Sequence, residues 1–372
     1  MKCLAILVNY HSADLLLQAV GSLVNGPDAG ACDRICVLDN SVCALEAQRL
    51  RLQLPPQVLL VVAERNLGFA AACNLALTQH QSDVDCVLLL NPDARLLPGA
   101  LARMKATLAS QPKVGAVGPL VFWDDAQRFM LPPSTAPYPA AHLLGRLGLH
   151  WAGLRRWRSR RWRAQALALW QAQKAQPVAA LSGGHVLLRC TALQSAGGLF
   201  DPAFFMYWED SDLMRRLHLA GWKLICDPKA KAIHAYEHSE QKNALLANGW
   251  PVYERKHFSA WPWRWLDALL RHCPSAPPQP INWTRLDLRG EGVRIEIPPH
   301  LHTGWLLEIA LTPDFLPACG QLGTGPELHL PAHLLRRLGA SALYLRLGPS
   351  KPHDLAACLH YQLFMAQQTG SG

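Results

Sequence analysis

The sequence predicts an α/β fold, a mainly parallel sheet with helices on both faces, followed by a small β-rich domain. Three observations carry this. From residue 4 to about 122, short continuous apolar runs alternate with amphipathic stretches. Polar residues cluster where those runs stop. Beyond a Pro-rich segment at 274–280 the texture changes to short runs of period two.

The apolar runs are LAILVNY (4–10), ICVLDN (35–40), VLLVVAE (58–64), CVLLLNP (86–92) and VGAVGPLVF (114–122). Helical stretches lie between them near 13–24, 43–53, 68–80 and 98–111. Strands without polar alternation are buried on both faces, which is the pattern of a parallel sheet between helix layers. Ligands of such sheets bind off the carboxyl ends of the strands. Here those ends carry Asn9-Tyr10, Asp39-Asn40, Arg65-Asn66 and Asn91-Pro92-Asp93. One such end is ordinary turn chemistry; four in succession line a crevice.

Residues 134–176 interrupt the pattern with a Pro-rich stretch and then a helix rich in Arg and Trp, an insertion expected to lie over the site (about 141–176 in its basic part). Strand character returns at HVLLR (185–189), a helix follows at about 209–220, a strand at KLICDP (223–228) and helix near 239–270. The linker 274–280 then separates an expected domain of residues 1–273 from a β-rich accessory domain, 281–372. Trp283 or Trp305 in the latter either binds carbohydrate or fills the core.

With 372 residues, half of them apolar and 17% charged, the chain is long enough for two packed domains. The 11 cysteines form no CxxC pair and sit inside apolar runs, as buried thiols of a reducing compartment do. The N-terminal apolar run is too short for a signal peptide and reads as a first strand. No stretch approaches the ~20 apolar residues that span a bilayer. The expectation is a cytoplasmic protein, soluble or lying on a membrane surface. The net charge of +9 is concentrated in Arg155, Arg156, Arg158, Arg160, Arg161 and Arg163, interleaved with Trp151, Trp157, Trp162 and Trp170. That segment is open to two readings, a surface for phosphates or a solvated helix face. No recognition motif for nucleic acid accompanies it.

Three strings carry chemistry. Asp93, in NPDA after CVLLL, is placed to hold a divalent cation, although NPD is also a common turn. The run DPAFFMYWEDSD (201–212) delivers three carboxylates to the start of a helix. Such groups stabilise a helix N-terminus by about 0.3–1 kcal/mol, and Asp212 can pair with Arg215 or Arg216. Glu209 and Asp210 instead stand beside aromatics, where burial raises a carboxylate's proton affinity and suits it to general-base work. His234 ends an apolar stretch in IHAYEHS (233–239).

The ordered set VNYHSAD, VLDNS, ERNLGFAAACNLAL, LLLNPDA, LSGGHVLLR, AGGLFDPAFFMYWEDSDLMRRLHLAGWKL and IHAYEHS resembles the GT2 family of glycosyltransferases, in its rhamnosyltransferase-like and galactofuranosyltransferase-like branch. The resemblance covers about residues 1–265. It implies a GT-A fold, a nucleotide-diphospho-sugar donor with dTDP-rhamnose favoured, Mg2+ or Mn2+, and an inverting single displacement. It puts Asn9, Tyr10, Asp39, Asn66, Gly68, Asn74, Asn91 and Asp93 on the donor, and Trp208, Gly183 and Gly184 on the acceptor, a glycan or lipid-linked glycan. Asp210 would be the base with Glu209 beside it, and Asp93 and His234 would hold the metal. NPDA has one carboxylate where many members have two or three, so the diphosphate would supply much of the metal's binding.

Two other classes are weighed. A non-catalytic nucleotide-sugar- or carbohydrate-binding protein on the same fold is allowed by the reduced metal motif. A nucleotidyltransferase normally opens with a Gly-rich basic loop after its first strand, and Tyr10-His11-Ser12-Ala13-Asp14 is neither.

Overall fold

The structure, a computed structural model, describes residues 1–237, 240–259, 261–270, 272–276, 281–288, 290–351, 355 and 357–365. Of residues 240, 241, 261–264 and 267 the backbone alone is described.

The chain opens with β1 (Cys3–Asn9), α1 (Ala13–Val24), β2 (Arg34–Asp39), α2 (Ala44–Gln53), β3 (Val58–Val62), α3 (Phe69–His80) and β4 (Cys86–Leu90). Every residue of β1 and β4 is buried, as the unbroken apolar runs require. The four strands pair in parallel in the order β3-β2-β1-β4. The order reverses at β1, and a doubly wound sheet opens its crevice at such a switch point. Asn9 and the NPD string stand at its two sides.

The second half builds β5 (Ala94–Leu96), α4 (Ala100–Ser110), β6 (Val114–Phe122), α5 (Pro139–His150), α6 (Ala152–Trp170), β7 (Gln176–Pro177), β8 (His185–Arg189) and α7 (Cys190–Ser195). It continues with α8 (Glu209–Leu219), β9 (Lys223–His234), α9 (Glu240–His257) and α10 (Trp261–Leu270). Here the sheet becomes mixed. β8 runs antiparallel between β4 and β6, β9 runs parallel to β6, and β5 and β7 pair antiparallel with β9. Reversing β8 sets its first residue, His185, opposite Leu90, the last of β4. The Gly183-Gly184 turn is thereby laid against Asn91.

Helices cover both faces. One core holds α3 and α8 residues such as Ala72, Ala76, Leu213 and Leu217. The other holds α1 and α4 residues such as Leu16, Val20, Leu101 and Met104.

The C-terminal part contains β10 (Thr284–Asp287), β11 (Gly292–Glu296), β12 (Trp305–Ala310), β13 (Cys319–Gly323), β14 (Glu327–Pro331), α11 (Ala332–Arg336), β15 (Ala342–Pro349) and β16 (Leu359–Phe364). Five strands form one sheet, β10-β16-β15-β12-β13, and β11 pairs with β14. Trp305 lies in the core of this unit, 3% exposed, and Trp283 stacks on Phe315. Trp123 and Phe129, from the segment after β6, belong to the same core. Met130 and Gly320 exchange backbone hydrogen bonds at 2.7 and 2.9 Å, and Trp170 of α6 lies where a side chain on Gly320 would be. Of the expected linker, Pro277, Pro278, Gln279 and Pro280 lie outside the described residues. Pro274 and Ala276 are hydrogen-bonded to α5 and α6, through His150, Leu149 and Arg155.

The Arg/Trp helix is not one uniform charged surface. Arg163 is fully buried, donating to Glu308 at 3.0 Å and to the carbonyls of Pro349 and Lys351 at 2.7 Å. Arg158 lies against Gly145 and Gly148 of α5. Arg156, Trp157, Arg160 and Arg161 alone face solvent among the Arg and Trp residues within α6. The helix is amphipathic, and its inner face is committed to the C-terminal sheet.

Candidate functional site

The first half of the site lies at the ends of β1 and β2. The Asn9 amide donates to Asp39 Oδ1, Ser41 Oγ and Glu46 Oε2 at 3.0, 3.1 and 3.0 Å, which fixes its orientation. Asp39 is fully buried, yet its Oδ2 has no hydrogen-bond partner among the described residues. Leaving such an oxygen unmet costs about 1–3 kcal/mol. An N–H or hydroxyl of a ligand would satisfy it. Tyr10 is 56% exposed beside it, edge-on to His11.

Asn40 and Asn66 extend this wall. Asn40 donates to Asn66 Oδ1 at 2.9 Å and accepts from the Leu67 N–H, and Asn66 accepts from the Gly68 N–H. Gly68 has φ +77°, and a Cβ there would lie 2.4 Å from the Phe205 carbonyl oxygen. That close approach requires glycine. Phe205, half exposed, is thereby hung over the crevice, a position that sequence reading did not single out.

The second half lies at the ends of β4 and β9. Register pairs Ala94 with His234, so Asp93 Oδ1 stands 3.2 Å from His234 Nε2. Burial pushes the Asp93 carboxyl up, but the bond and charge of His234 outweigh it and hold the group below its ordinary value. His185, also missed in the sequence, sits edge-on to His234 at 5.5 Å. Burial, then the His234 charge, lowers it to about 3, which keeps it neutral. The signal available was a histidine opening an apolar strand directly after Gly-Gly. Lys242 lies over the Tyr236 ring, 3.6 Å from its centroid, and 5.7 Å from that of Tyr207. Burial lowers it to about 8, against the pull of Asp93.

Asp93 and His234 offer one oxygen and one nitrogen on adjacent strands, a fit for a divalent cation whose remaining ligands are phosphate oxygens and water. Among the described residues, no group of three His, Cys, Asp or Glu stands ready for a metal.

The carboxylate pair opens α8. Asp210 Oδ2 accepts the Gly183 N–H at 3.2 Å and Oδ1 accepts the Ser211 N–H at 2.6 Å. Burial raises Asp210, and these donors oppose the rise. Glu209 is 5% exposed with Oε2 unpartnered, and burial followed by the Asp210 charge lifts it to about 8. Asp212 has the structural role expected of it, bonded to Arg216, His257 and Lys256 at 2.7, 2.8 and 2.9 Å.

Four of the expected site residues have partners within the protein. Asn74 spends both ends of its amide on the Phe200 backbone, at 2.8 and 3.0 Å, so it anchors the loop before α8. Trp208 has φ +72°, its indole donates to the Leu246 carbonyl, and its ring packs on Trp250 and Tyr253. It supports the loop from within. Gly183 and Gly184 are buried: Gly183 bonds to Asp210, while the Gly184 carbonyl accepts from the Asn91 N–H at 2.8 Å. Their small size lets α8 and the NPD string close on each other, since a Cβ would lie 3.1 Å from Asp210 or 2.8 Å from Asn91.

Behind Asp93 a cleft of about 410 Å3 is walled by Gln18 of α1, by Trp123 and Arg128, and by His333 and Arg337 of the C-terminal unit. The Trp123 indole donates to the Tyr236 carbonyl at 2.9 Å, bracing the segment that carries His234.

Two curated relatives, both named N-acetylglucosaminyl-diphospho-decaprenol L-rhamnosyltransferase, come from Mycobacterium tuberculosis strains CDC 1551 / Oshkosh and ATCC 25618 / H37Rv. Each is 32% identical over 197 residues, 50% of this chain and 62% of the relative, so the chain spans less than two thirds of either. Among solved structures, the crystal structure of GalNAc-T7 with UDP, GalNAc and Mn2+ aligns at a TM-score of 0.45 and 12% identity, over 63% of this chain and 44% of that one. The family model described as "Glycosyltransferase like family 2" matches residues 2–252. That span takes in the crevice, the NPD string, the Glu209-Asp210 pair and His234, and the chain belongs to glycosyltransferase family 2, with the α/β sheet of a GT-A fold.

Proposed function

We propose that the protein is an inverting glycosyltransferase that moves a sugar from a nucleotide-diphospho-sugar, with dTDP-rhamnose the favoured donor, to a hydroxyl of a glycan or lipid-linked glycan in bacterial surface-polysaccharide assembly. The observation that carries the reading is the Gly183-Gly184 bridge. One backbone turn holds the Asp210 carboxylate and the NPD string together, so an acceptor base and a diphosphate site face one crevice.

Residues 1–273 form the transferase in this reading and 281–372 an accessory domain. Asp39 takes the base or ribose through its open oxygen, with Asn9 holding it and Tyr10 beside it. Asn66 and Gly68 shape the nucleotide wall. Asp93 and His234 would hold Mg2+ or Mn2+, which when bound supplies charge stabilisation to the departing diphosphate. Asp210 takes the proton from the acceptor hydroxyl. The freed oxygen attacks the anomeric carbon from the face opposite the diphosphate, the bond to the diphosphate oxygen breaks, and configuration inverts. Glu209, largely protonated near neutral pH, leaves Asp210 as the ionised partner and so as the base.

The relatives' lipid-linked substrate and the charge pattern support peripheral contact with the inner face of a membrane. No Asp or Glu occurs between Asp125 and Asp201. Arg156, Arg160, Arg161 and Trp157 form an outward basic and aromatic face on α6, while Arg155, Arg158 and Arg163 are drawn inward. No helix among the described residues is long and apolar enough to cross a membrane.

Calorimetric titration of dTDP, UDP and GDP, with and without Mn2+, tests the reading. Metal-dependent binding of one nucleotide, weakened in Asp93→Ala, is expected. A second reading, nucleotide-sugar binding without catalysis, is favoured by the two-residue metal set. It predicts donor binding without turnover on any lipid-linked acceptor.

A further inference from the structure

We propose that Arg337, with His333 one helical turn before it, forms a diphosphate-binding site in the cleft behind Asp93, which makes the C-terminal unit part of the ligand site. The inference rests on the transferase reading and deepens it.

The cleft, of about 410 Å3, is in the size class that holds small molecules. Most of the charges on its walls cancel in place. Arg128 is paired with Asp124 at 3.0 Å, Arg95 is paired with Asp125, and Asp93 leans on His234 at 3.2 Å. Arg337 lines the same cleft, and its guanidinium has no ion pair or hydrogen bond among the described residues. Arg337 and Asp93 thus share one cavity without pairing with each other. The space between them suits a ligand that is anionic toward Arg337 and bound through a cation toward Asp93. A diphosphate has both properties, since one phosphate can meet a divalent cation while the other accepts from a guanidinium, whose planar fork fits two phosphate oxygens.

The fold holds this arginine in place. Arg337 continues the helical backbone of α11, with φ −61° and ψ −19°. Residues four apart lie on one helix face, so His333 stands beside it, and both line the cleft. His333 is exposed and Arg337 half-buried. Ala332, Leu334 and Leu335 anchor α11 in the core that also takes Trp123 and Phe129. The two walls of the cleft are therefore fixed to each other through one packed core, and the guanidinium is carried on a rigid element.

Two ligands in the transferase reading carry a diphosphate, the nucleotide-sugar donor and a diphosphate-linked lipid acceptor, and the test separates them. Calorimetry in Mn2+ compares wild type with Arg337→Ala on two probes, the nucleoside diphosphate that wild type binds best among dTDP, UDP and GDP, and farnesyl diphosphate. Arg337→Ala is expected to weaken at least one of them about tenfold or more, the size of one contact to a charged group. Loss on the nucleotide assigns the site to the donor, loss on farnesyl diphosphate assigns it to the acceptor, and loss on both means one site that takes either. Arg337→Lys should recover part of the binding, because it keeps the charge and loses the fork. His333→Ala should weaken the same ligand by a smaller factor. An unchanged melting temperature shows that Arg337→Ala is folded; if it melts early, Arg337→Gln, which keeps more of the stem, replaces it. Wild-type affinity of the folded variant for both probes would overturn the proposal and leave the transferase reading standing. A wild type that binds none of the three nucleotides sinks that reading and this proposal with it.

Discussion

Glu209 and Asp210 are consecutive in the chain and opposite in environment. Glu209 turns into the core, near the buried Cys73 of α3. Asp210 turns to the Gly183 turn and takes two backbone N–H bonds. Two carboxyls driven apart in this way divide the roles of neutral donor and ionised base.

Asp210→Asn is expected to lower kcat by about 10²–10⁴, the range for loss of a general base. The affinity for nucleoside diphosphate stays at the wild-type value, because the amide keeps the shape of the carboxyl and touches no donor residue. In wild type the acid limb of kcat/KM should fall above pH 3.8, because burial raises Asp210 from that value. Single-turnover transfer alongside calorimetry reads both effects. Unreduced turnover would remove Asp210 from the mechanism.

Glu209 has a pH signature of its own. Its folded value of about 8 lies above the ordinary 4.5, so the folded state binds the extra proton between those limits. Stability is then undiminished below pH 4.5 and falls as pH rises toward 8. Glu209→Gln removes the titration, so its melting temperature relative to wild type should climb from pH 5 to pH 9. Each kcal/mol gained corresponds to about 2–4 °C in a unit of this size. A difference that stays flat across that range would show that Glu209 is ionised throughout.

Much of this was legible before the fold was seen. Unbroken apolar runs such as CLAILVN and CVLLL mark strands covered on both faces, and their polar stops mark where the strands end. Asp212 beside Arg216 was readable because helical neighbours are fixed by local spacing. What was not legible depended on distant partners. Asn74 is claimed by Phe200, 126 residues away, and Trp208 by Leu246, 38 away. No periodicity reports such pairings, and none reports that β8 runs antiparallel. Arg163 looked like part of a charged surface because its acid, Glu308, comes 145 residues later.

That acid anchors the next prediction. Glu308, fully buried, accepts from Arg163 at 3.0 Å and from Arg346 at 2.6 and 2.7 Å. Removing it leaves two buried guanidinium groups with no carboxylate, and such breakage costs about 3–5 kcal/mol. Arg163→Ala should cost less than Glu308→Gln, because the Arg346 pair survives it. Urea unfolding of both variants measures the order. Equal or reversed losses would mean that α6 is held to the C-terminal sheet chiefly by Trp170 and its apolar neighbours.

The exposed face of α6 gives the last test. Arg156, Arg160 and Arg161 point outward, and Trp157 stacks under Arg161 at 5.5 Å. Each basic residue near an anionic leaflet contributes about 1 kcal/mol, so three together are worth roughly a hundredfold in partitioning. Reversing all three to Glu should abolish co-flotation with vesicles containing anionic lipid and leave nucleotide binding untouched. Raising salt should weaken the wild-type interaction in the same direction, since exposed charges are screened within about 8 Å at physiological ionic strength. Trp157→Ala should weaken flotation even at high salt, through lost apolar burial. If the triple reversal floats as well as wild type, the basic face is solvated helix surface, and transfer to a lipid-linked acceptor would have to rely on another part of the molecule for approach to the membrane.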